Sequence, residues 1–213
     1  MKTTMILLAT MLFSVGVNSQ ENISGKNAMR QAVTYPERVK EQILQSVYYP
    51  RLSKFRNKEG IVIIEFAINP NGELSDLRVI NSVSPELDRV ALKAMEKTRG
   101  KWEPFVVKGK PVKMFTEISV KFKLYPDSDF SAIAKQYFQL GNKILHKRNN
   151  PKRALRFFNN ALKYMPYEES ILQARALCKL KLGDHEGASN DVARAEKLII
   201  GKDMGFRTSV VKN

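Results

Sequence analysis

Residues that build disulfides and metal sites are scarce in this chain of 213 residues. Its single cysteine, Cys178, cannot form an internal disulfide, and its place in a helical pattern predicts a small buried side chain. The two histidines, His146 and His185, belong to no set with metal-ligand spacing and are expected at the surface. No glycine-rich loop has the spacing that binds phosphate. We therefore expect neither a metal nor another cofactor.

The acidic residues give little basis for catalysis. Of the four acids that could in principle pair as an acid and a base, two lie on predicted strand faces and two lie near a turn, where solvated carboxylates are expected. They are Glu65, Glu73, Asp76 and Glu117. No Ser-His-Asp triad can be argued either. We predict that the protein is not an enzyme, and a hydrolase that uses these carboxylates ranks last among the alternatives.

Long apolar runs and proline-rich segments are also missing. The run Met5–Val17 follows the basic Lys2 and spans about 20 Å as a helix, short of the roughly 30 Å hydrocarbon core of a bilayer. We predict a cleaved secretory signal peptide over residues 1–19 and a flexible lead-in over 20–34, which leaves no integral membrane anchor. The nine prolines are scattered singly, so the sequence has no proline-rich arm.

The strongest structural signal is a β-hairpin. Ile61–Ile68 is rich in β-branched and aromatic residues, and Leu74–Asn81 has a similar composition. Between them, Asn71-Gly72 readily adopts the positive φ that a tight reversal needs. The predicted core face of the first strand consists of Val62, Ile64, Phe66 and Ile68. Two apolar runs around such a turn predict a hairpin.

Two helices and a third strand complete the first predicted domain, over residues 35–125. One helix covers Pro36–Val47, with apolar residues four positions apart. The other follows Ser84, a helix-capping residue, with Pro85 in its first turn and an apolar stripe at three- and four-residue spacing. Lys113–Leu124 alternates between apolar and polar residues, which predicts a strand with one solvated face. That face is predicted to hold Lys113, Glu117, Ser119, Lys121 and Lys123. The fold class is therefore α+β, with a small antiparallel three-stranded sheet and two helices.

Short motifs follow one another in a fixed order through this domain. They are Tyr49-Pro50, Gly60 with Val62 and Phe66, Asn71-Gly72, Pro85-Glu86-Leu87-Asp88, Ala91-Leu92, Trp102 with Pro104, Gly109-Lys110-Pro111-Val112, and Phe122 with Leu124. This order resembles the C-terminal domain of the TonB energy-transducer family. The resemblance covers roughly a third of the chain.

The resemblance implies a periplasmic protein that binds an extended segment of an outer-membrane transporter, or of another envelope protein, by strand addition. In the family, the last strand receives the partner, and the segment before the Tyr-Pro motif lies near it. The partner-binding residues carried over are Tyr48, Tyr49, Pro50, Lys113, Glu117, Ser119, Lys121 and Lys123. Two alternatives stay open: Tyr49 packs over the sheet, and the lysines merely keep the sheet edge soluble.

The remainder of the chain is predicted to be helical and repetitive. Residues 125–129 contain a proline and two acids and are predicted to form a linker. Residues 131–200 resemble tetratricopeptide repeats, because Ala154 and Ala188 lie 34 positions apart, the period of that repeat. We predict an all-α domain of helical hairpins there and a tail over residues 201–213.

The charge of the chain is strongly positive, with a formal net charge of +15. The densest cluster, which we call the basic cluster, comprises His146, Lys147, Arg148, Lys152, Arg153 and Arg156. It is either a solvated helix face or a surface for anionic partners. An exported protein is not expected to bind nucleic acid. The main alternative function is a periplasmic scaffold not coupled to transport; the partner and the oligomeric state, including a homodimer, are left open.

Overall fold

The computed structural model describes residues 37–202 and 207–212, with side chains from 38 to 196. The predicted signal peptide and lead-in lie outside these residues. The elements are α1 (Glu37–Ser46), α2 (Arg51–Phe55), β1 (Gly60–Ile68), β2 (Leu74–Asn81), α3 (Pro85–Glu96), β3 (Phe105–Val107), β4 (Lys110–Val112), β5 (Met114–Phe122), α4 (Phe130–Arg148), α5 (Pro151–Tyr164), α6 (Glu169–Lys181), α7 (His185–Lys202) and β6 (Arg207–Lys212). None of the helices in the described ranges is long and apolar enough to cross a membrane.

The predicted hairpin is confirmed. β1 and β2 pair antiparallel, and the turn between them is closed by a bond from the Gly72 N–H to the Asn69 carbonyl, 2.9 Å long. Gly72 has a φ of +81°, and a Cβ there would lie 2.7 Å from the Trp102 carbonyl oxygen. Only glycine therefore suits both the turn and the loop that packs on it.

The main core lies on one side of this sheet, which we call the inner face. β1 contributes its predicted face, and β5 contributes alternate residues that register beside it. The helices α1 and α3 cover this face with the apolar stripes that the sequence predicts. The covering side chains include Val39, Ile43, Val47, Leu87, Val90, Ala91, Ala94 and Met95. Ser84 caps α3 by accepting a hydrogen bond from the Leu87 N–H. The predicted α+β fold with three antiparallel strands is confirmed.

The structure adds a second, smaller hairpin that was not predicted from the sequence. β3 and β4 pair antiparallel around Lys108 and Gly109, whose φ values are +49° and +75°. Positive φ at both central residues is the geometry of a tight two-residue hairpin turn. Gly109 between two short apolar runs indicates such a turn. Lys108 at the first central position weakens the pattern, because lysine rarely adopts a positive φ.

The helical region forms two helical hairpins, α4 with α5 and α6 with α7, as predicted. Asn149 ends α4 in the left-handed conformation, and Asn150 caps α5 by accepting from the Arg153 N–H at 2.9 Å. Close packing inside the first hairpin depends on Gly141, because a Cβ there would lie 2.5 Å from Phe158 Cε1. A buried ion pair joins α6 to α7, with Arg175 Nε and Asp191 Oδ2 2.8 Å apart.

The opposite side of the sheet, which we call the outer face, is partly covered by the helical region. Ile63 on this face is fully buried, and Ser119 beside it is only 4% exposed. The prediction that Ser119 lies on a solvated face is therefore wrong. Alternation within β5 was read correctly, but the helical region covers the face that alternation assigned to solvent.

Main-chain atoms of α5 make the best-defined contacts between the two regions. Asn81 Nδ2 donates to the carbonyl oxygens of Ile61 at 2.7 Å and Leu162 at 3.0 Å. The Leu162 carbonyl has no intrahelical partner at the end of α5, because the residue four positions on is Pro166, which has no N–H. Asn81 supplies the missing donor. Farther along, Arg194 Nη1 donates to the Ile80 carbonyl oxygen at 3.1 Å.

Candidate functional site

The candidate site is the side of β5 that faces away from β1. There the structure differs from expectation, because β5 pairs on that side with β6 in a parallel ladder that runs from Glu117 beside Arg207 to Phe122 beside Lys212. The strand order is β2-β1-β5-β6. β5 therefore has a neighbour on both sides, a fourth strand that the sequence did not predict, and the predicted tail contains a strand. Residues 207–212 include Thr208, Val210 and Val211, a β-branched content that was a usable signal.

The Tyr48-Tyr49-Pro50 segment lies beside the Phe122 end of β5, which is the end farthest from the turn between β1 and β2. The Tyr49 ring packs edge-on against Phe122 with ring centroids 5.7 Å apart, and its hydroxyl donates to the Lys58 carbonyl at 2.6 Å. Burial, with a smaller effect from Glu59, raises the pKa of Tyr49. Tyr49 therefore takes the packing role that the sequence analysis held as its alternative. Tyr48 is 60% exposed and is the tyrosine of this pair that is available to a partner.

Pro50 has a structural role next to these tyrosines. It precedes α2 with extended geometry, φ −61° and ψ 137°, and its carbonyl accepts from the Lys54 N–H at 3.0 Å. The proline thus starts a short helix that the sequence analysis did not predict. This helix separates Tyr49 from Gly60, the first residue of β1.

Lys113 lies one residue before β5 and makes contacts at its exposed end. Its ammonium group forms an ion pair with Asp76 at 2.7 Å and lies 5.2 Å from the centroid of the Phe115 ring. The hydrogen bond from Lys113 lowers the pKa of Asp76. Phe115 is 56% exposed. This end of the outer face is therefore open, with one aromatic ring between charged groups.

The other predicted residues of β5 are distributed along its covered part. Glu117 is close enough to Arg194 for its charge to favour the protonated guanidinium, although burial, the larger effect, lowers the pKa of Arg194. The Lys121 ammonium lies 5.9 Å from the Phe130 ring centroid at the start of α4. Lys123 donates to the Pro126 carbonyl. The structure therefore does not gather the eight predicted residues on one open surface.

Glu59 was missed by the sequence analysis and fixes the connection between the two regions. Its Oε2 accepts from the Leu124 N–H at 3.2 Å and from the Ser128 hydroxyl at 3.0 Å. The carboxylate also contributes, after burial, to the raised pKa of Tyr49. A lone glutamate before a strand carries no signal of this role in the sequence.

Two of the four acids considered for catalysis are held in ion pairs, and Glu117 lies opposite one of them, Glu65, in the sheet. Glu65 forms an ion pair with Arg78 at 2.5 Å, and Asp76 is bound by Lys113. Cys178 is fully buried, as predicted, and burial raises its pKa to about 11. Within the described part of the chain, no three His, Cys, Asp or Glu side chains are arranged to hold a metal ion.

The basic cluster lies at the turn of the first helical hairpin. Its six side chains are exposed at the end of α4 and the start of α5, which suits both a solvated face and a surface for anionic partners. The predicted exposure of His146 and His185 is also confirmed. This cluster lies on the helical region, away from the ladder between β5 and β6.

Comparison with known protein families finds a match over the first region. Residues 45–124 match the family described as Gram-negative bacterial TonB protein C-terminal. TonB C-terminal domains are non-catalytic and periplasmic, and the family implies interaction with outer-membrane transporters. The match ends with the TonB-type domain, so the tetratricopeptide identity of the helical region stays a prediction.

Two solved structures are similar to the TonB-type domain. Both are NMR solution structures of the Helicobacter pylori TonB C-terminal domain. The one of its residues 194–285 is 24% identical, with a TM-score of 0.34, and covers 43% of this chain and 95% of that chain. The one of its residues 179–285 is 20% identical, with a TM-score of 0.29, and covers 53% and 91%. Comparison with curated proteins finds no match.

Proposed function

We propose that this protein is an exported, non-enzymatic binding module of the bacterial envelope, which engages an extended segment of an outer-membrane transporter in the periplasm. The observation that carries the proposal is the family match over residues 45–124, which includes the whole sheet except β6. The function is then linked to TonB-type transport. The secretory signal over residues 1–19 supplies the route to the periplasm.

Strand addition on the outer side of β5 is the proposed binding mode. In this mode main-chain hydrogen bonds supply affinity, and side-chain pockets supply specificity. Two observations support it: β5 offers backbone groups on that side, and a six-residue strand already pairs there in the structure. Tyr48 lies in the chain between α1, which contacts β6, and Tyr49, which packs on Phe122 at the end of β5. This position brings Tyr48 close to the ladder.

The test is calorimetric titration of the full mature chain with peptides from the N-terminal segments of candidate outer-membrane transporters. Replacing Tyr48→Ala should weaken binding about tenfold, because an exposed aromatic anchor is lost. Tyr125→Ala is the matched control, since Tyr125 is 57% exposed but follows β5, and it should stay within about twofold. Equal losses in both variants would place the site elsewhere. If no peptide binds saturably, the transporter is the wrong partner.

The second candidate function is a scaffold that is not coupled to transport. It is favoured by apolar side chains that the helical region leaves exposed, mostly on its second hairpin. They are Leu140, Leu177, Leu180, Leu182 and Val192. In a repeat protein, such residues mark a surface onto which another unit packs. Capture of envelope proteins that is lost in Leu177→Ser/Leu180→Ser, but unaffected by Tyr48→Ala, would support the scaffold.

A further inference from the structure

The edge proposed for partner binding is occupied in the structure by the chain's own C-terminal strand. β6 pairs with β5 over Glu117–Phe122 and reaches that position from the end of α7, with residues 203–206 between them. The pairing is parallel, whereas the other strands of the sheet are antiparallel. We propose that β6 is an intrachain occupant of the β5 edge, and that a partner's acidic extended segment pairs there only after β6 leaves. The proposal rests on the proposed function for the site and the class of partner.

The geometry makes β6 the element best suited to leave. Among the described strands β6 is the last in the order and pairs with β5 alone, and parallel pairing is slightly less stable per residue than antiparallel pairing. Removing β6 leaves the antiparallel pairs of β5 with β1 and of β1 with β2 in place. A six-residue strand with one neighbour therefore opens at lower free energy than β1 or β5.

The short connection explains why β6 nevertheless occupies the edge. A segment tethered by a few residues has an effective concentration of about 1 mM. If β6 itself binds the edge with a dissociation constant of about 0.1 mM, it reduces about tenfold the apparent affinity of any free peptide that competes for the edge. The tethered β6 thus raises the partner concentration that is needed to occupy half of the edges.

The charges along the edge indicate which partner displaces β6. Lys113, Lys121 and Lys123 lie on or next to β5, and β6 itself carries Arg207 and Lys212. The register position beside Lys121 is held by the uncharged Val211. An acidic residue at that position places opposite charges across the ladder, which stabilises a strand pair. A competing segment with acidic residues therefore fits this edge better than β6 does.

The test uses a fluorescent peptide of residues 205–213 and two full-length variants. Ser209→Pro/Val210→Pro removes two adjacent N–H groups. Because adjacent N–H groups of a strand point to opposite sides, one of the two donates to β5, and the double variant removes that hydrogen bond. Ser209→Ala/Val210→Ala changes the same residues and keeps both donors. We expect the peptide to bind the proline variant at least about tenfold more tightly than the alanine variant. Equal binding to both, or binding to neither, overturns the proposal.

A second measurement keeps the test independent of peptide affinity. Successive N–H groups of a strand point to opposite sides. In the alanine variant, hydrogen exchange should therefore be slow at consecutive β5 residues, and in the proline variant every second amide should exchange quickly. Fast exchange at those alternate amides in both variants overturns the pairing. A dimer that dissociates only in the proline variant shows that β6 comes from a second copy, which overturns the intrachain form.

The nature of the partner is tested separately. The peptide with Val211→Glu should bind the proline variant about two- to fivefold more tightly than the parent peptide, and a loss of affinity overturns the acidic preference. Transporter peptides should also bind the proline variant more tightly than the alanine variant. The ratio of the two affinities should equal the ratio measured with the peptide of residues 205–213. Another outcome is that the peptide of residues 205–213 behaves as expected while no transporter peptide competes with it. In that case β6 is the occupant of the β5 edge, and the proposal that a transporter segment binds there fails.

Discussion

The two faces of the sheet are covered in different ways. The inner face is covered by α1 and α3, and most of its apolar side chains join one buried cluster. The outer face has fully buried Ile63 near one end, whereas farther along Glu65, 18% exposed, pairs with Arg78, which is 70% exposed. The helical region contacts the outer face at Gly60 and Asn81 and, through Arg194, at Ile80.

This difference shows what holds each region in place. Burial of apolar area stabilises the inner face, at about 25 cal/mol per Å² removed from water. The outer face is held by a few directed contacts, such as those of Asn81 with the Leu162 carbonyl and of Arg194 with the Ile80 carbonyl. We expect substitutions on the inner face to affect the whole fold and those on the outer face to affect mainly the contact between regions.

The largest effect is expected at the centre of the inner face. Phe66→Ala should lower the free energy of unfolding by about 3–5 kcal/mol, because a fully buried ring that packs on Trp102 at 4.9 Å is replaced by a cavity. Phe115→Ala is the matched control on the exposed end of the outer face and should cost below about 1 kcal/mol. Urea denaturation measures both. Similar losses in the two variants would contradict the assignment of the faces.

A smaller effect is expected where α5 meets the sheet. Gly60 has a φ of +150°, and a Cβ there would lie 2.7 Å from the Lys163 carbonyl oxygen. Gly60→Ala should therefore lower the free energy of unfolding by about 3 kcal/mol. Gly109→Ala also replaces a glycine of positive φ, but nothing lies within 4 Å of its Cβ position, so it should cost about 1 kcal/mol. Equal costs in urea denaturation would show that the regions do not meet at Gly60.

The smallest effect is expected on the uncovered part of the outer face. Arg78→Ala removes the partner of Glu65, but the arginine side chain is 70% exposed and such pairs contribute at most about 1 kcal/mol. The melting temperature in 0.5 M salt should change still less, because salt screens exposed charges. A loss as large as that of Gly60→Ala would mean that the helical region covers this end as well.

Local patterns in the sequence predicted the inner face well. The alternation through Val62–Ile68, the apolar stripe of α3 and the Asn71-Gly72 turn each appear in the structure where they were expected, because short-range periodicity determines which side chains share a face. The helical hairpins followed from spacing in the same way. Periodicity inside one element says nothing about which other element covers its second face.

The candidate site was predicted less well for this reason. Ser119 was assigned to solvent by alternation, but it is only 4% exposed on a face that other elements partly cover. The pairing of β6 with β5 joins residues about 90 positions apart. Such pairing depends on where α4–α7 deliver the end of the chain, and no local signal near β5 carries that information. Tyr49, which packs on Phe122, was correctly given two alternatives, because a tyrosine suits both a core rim and a binding surface.

The bond from Asn81 to the Leu162 carbonyl has a consequence for how the two regions change over evolutionary time. Asn81 of the sheet donates to a main-chain carbonyl oxygen that Pro166 leaves without a helical donor. A main-chain carbonyl accepts this hydrogen bond whichever side chain its residue carries. The surface of α5 is therefore free to diverge as long as the helix ends in this way, whereas Asn81, Gly60 and Pro166 are constrained together. A different helical hairpin that ends with a proline at the same spacing is a natural candidate for grafting onto this sheet.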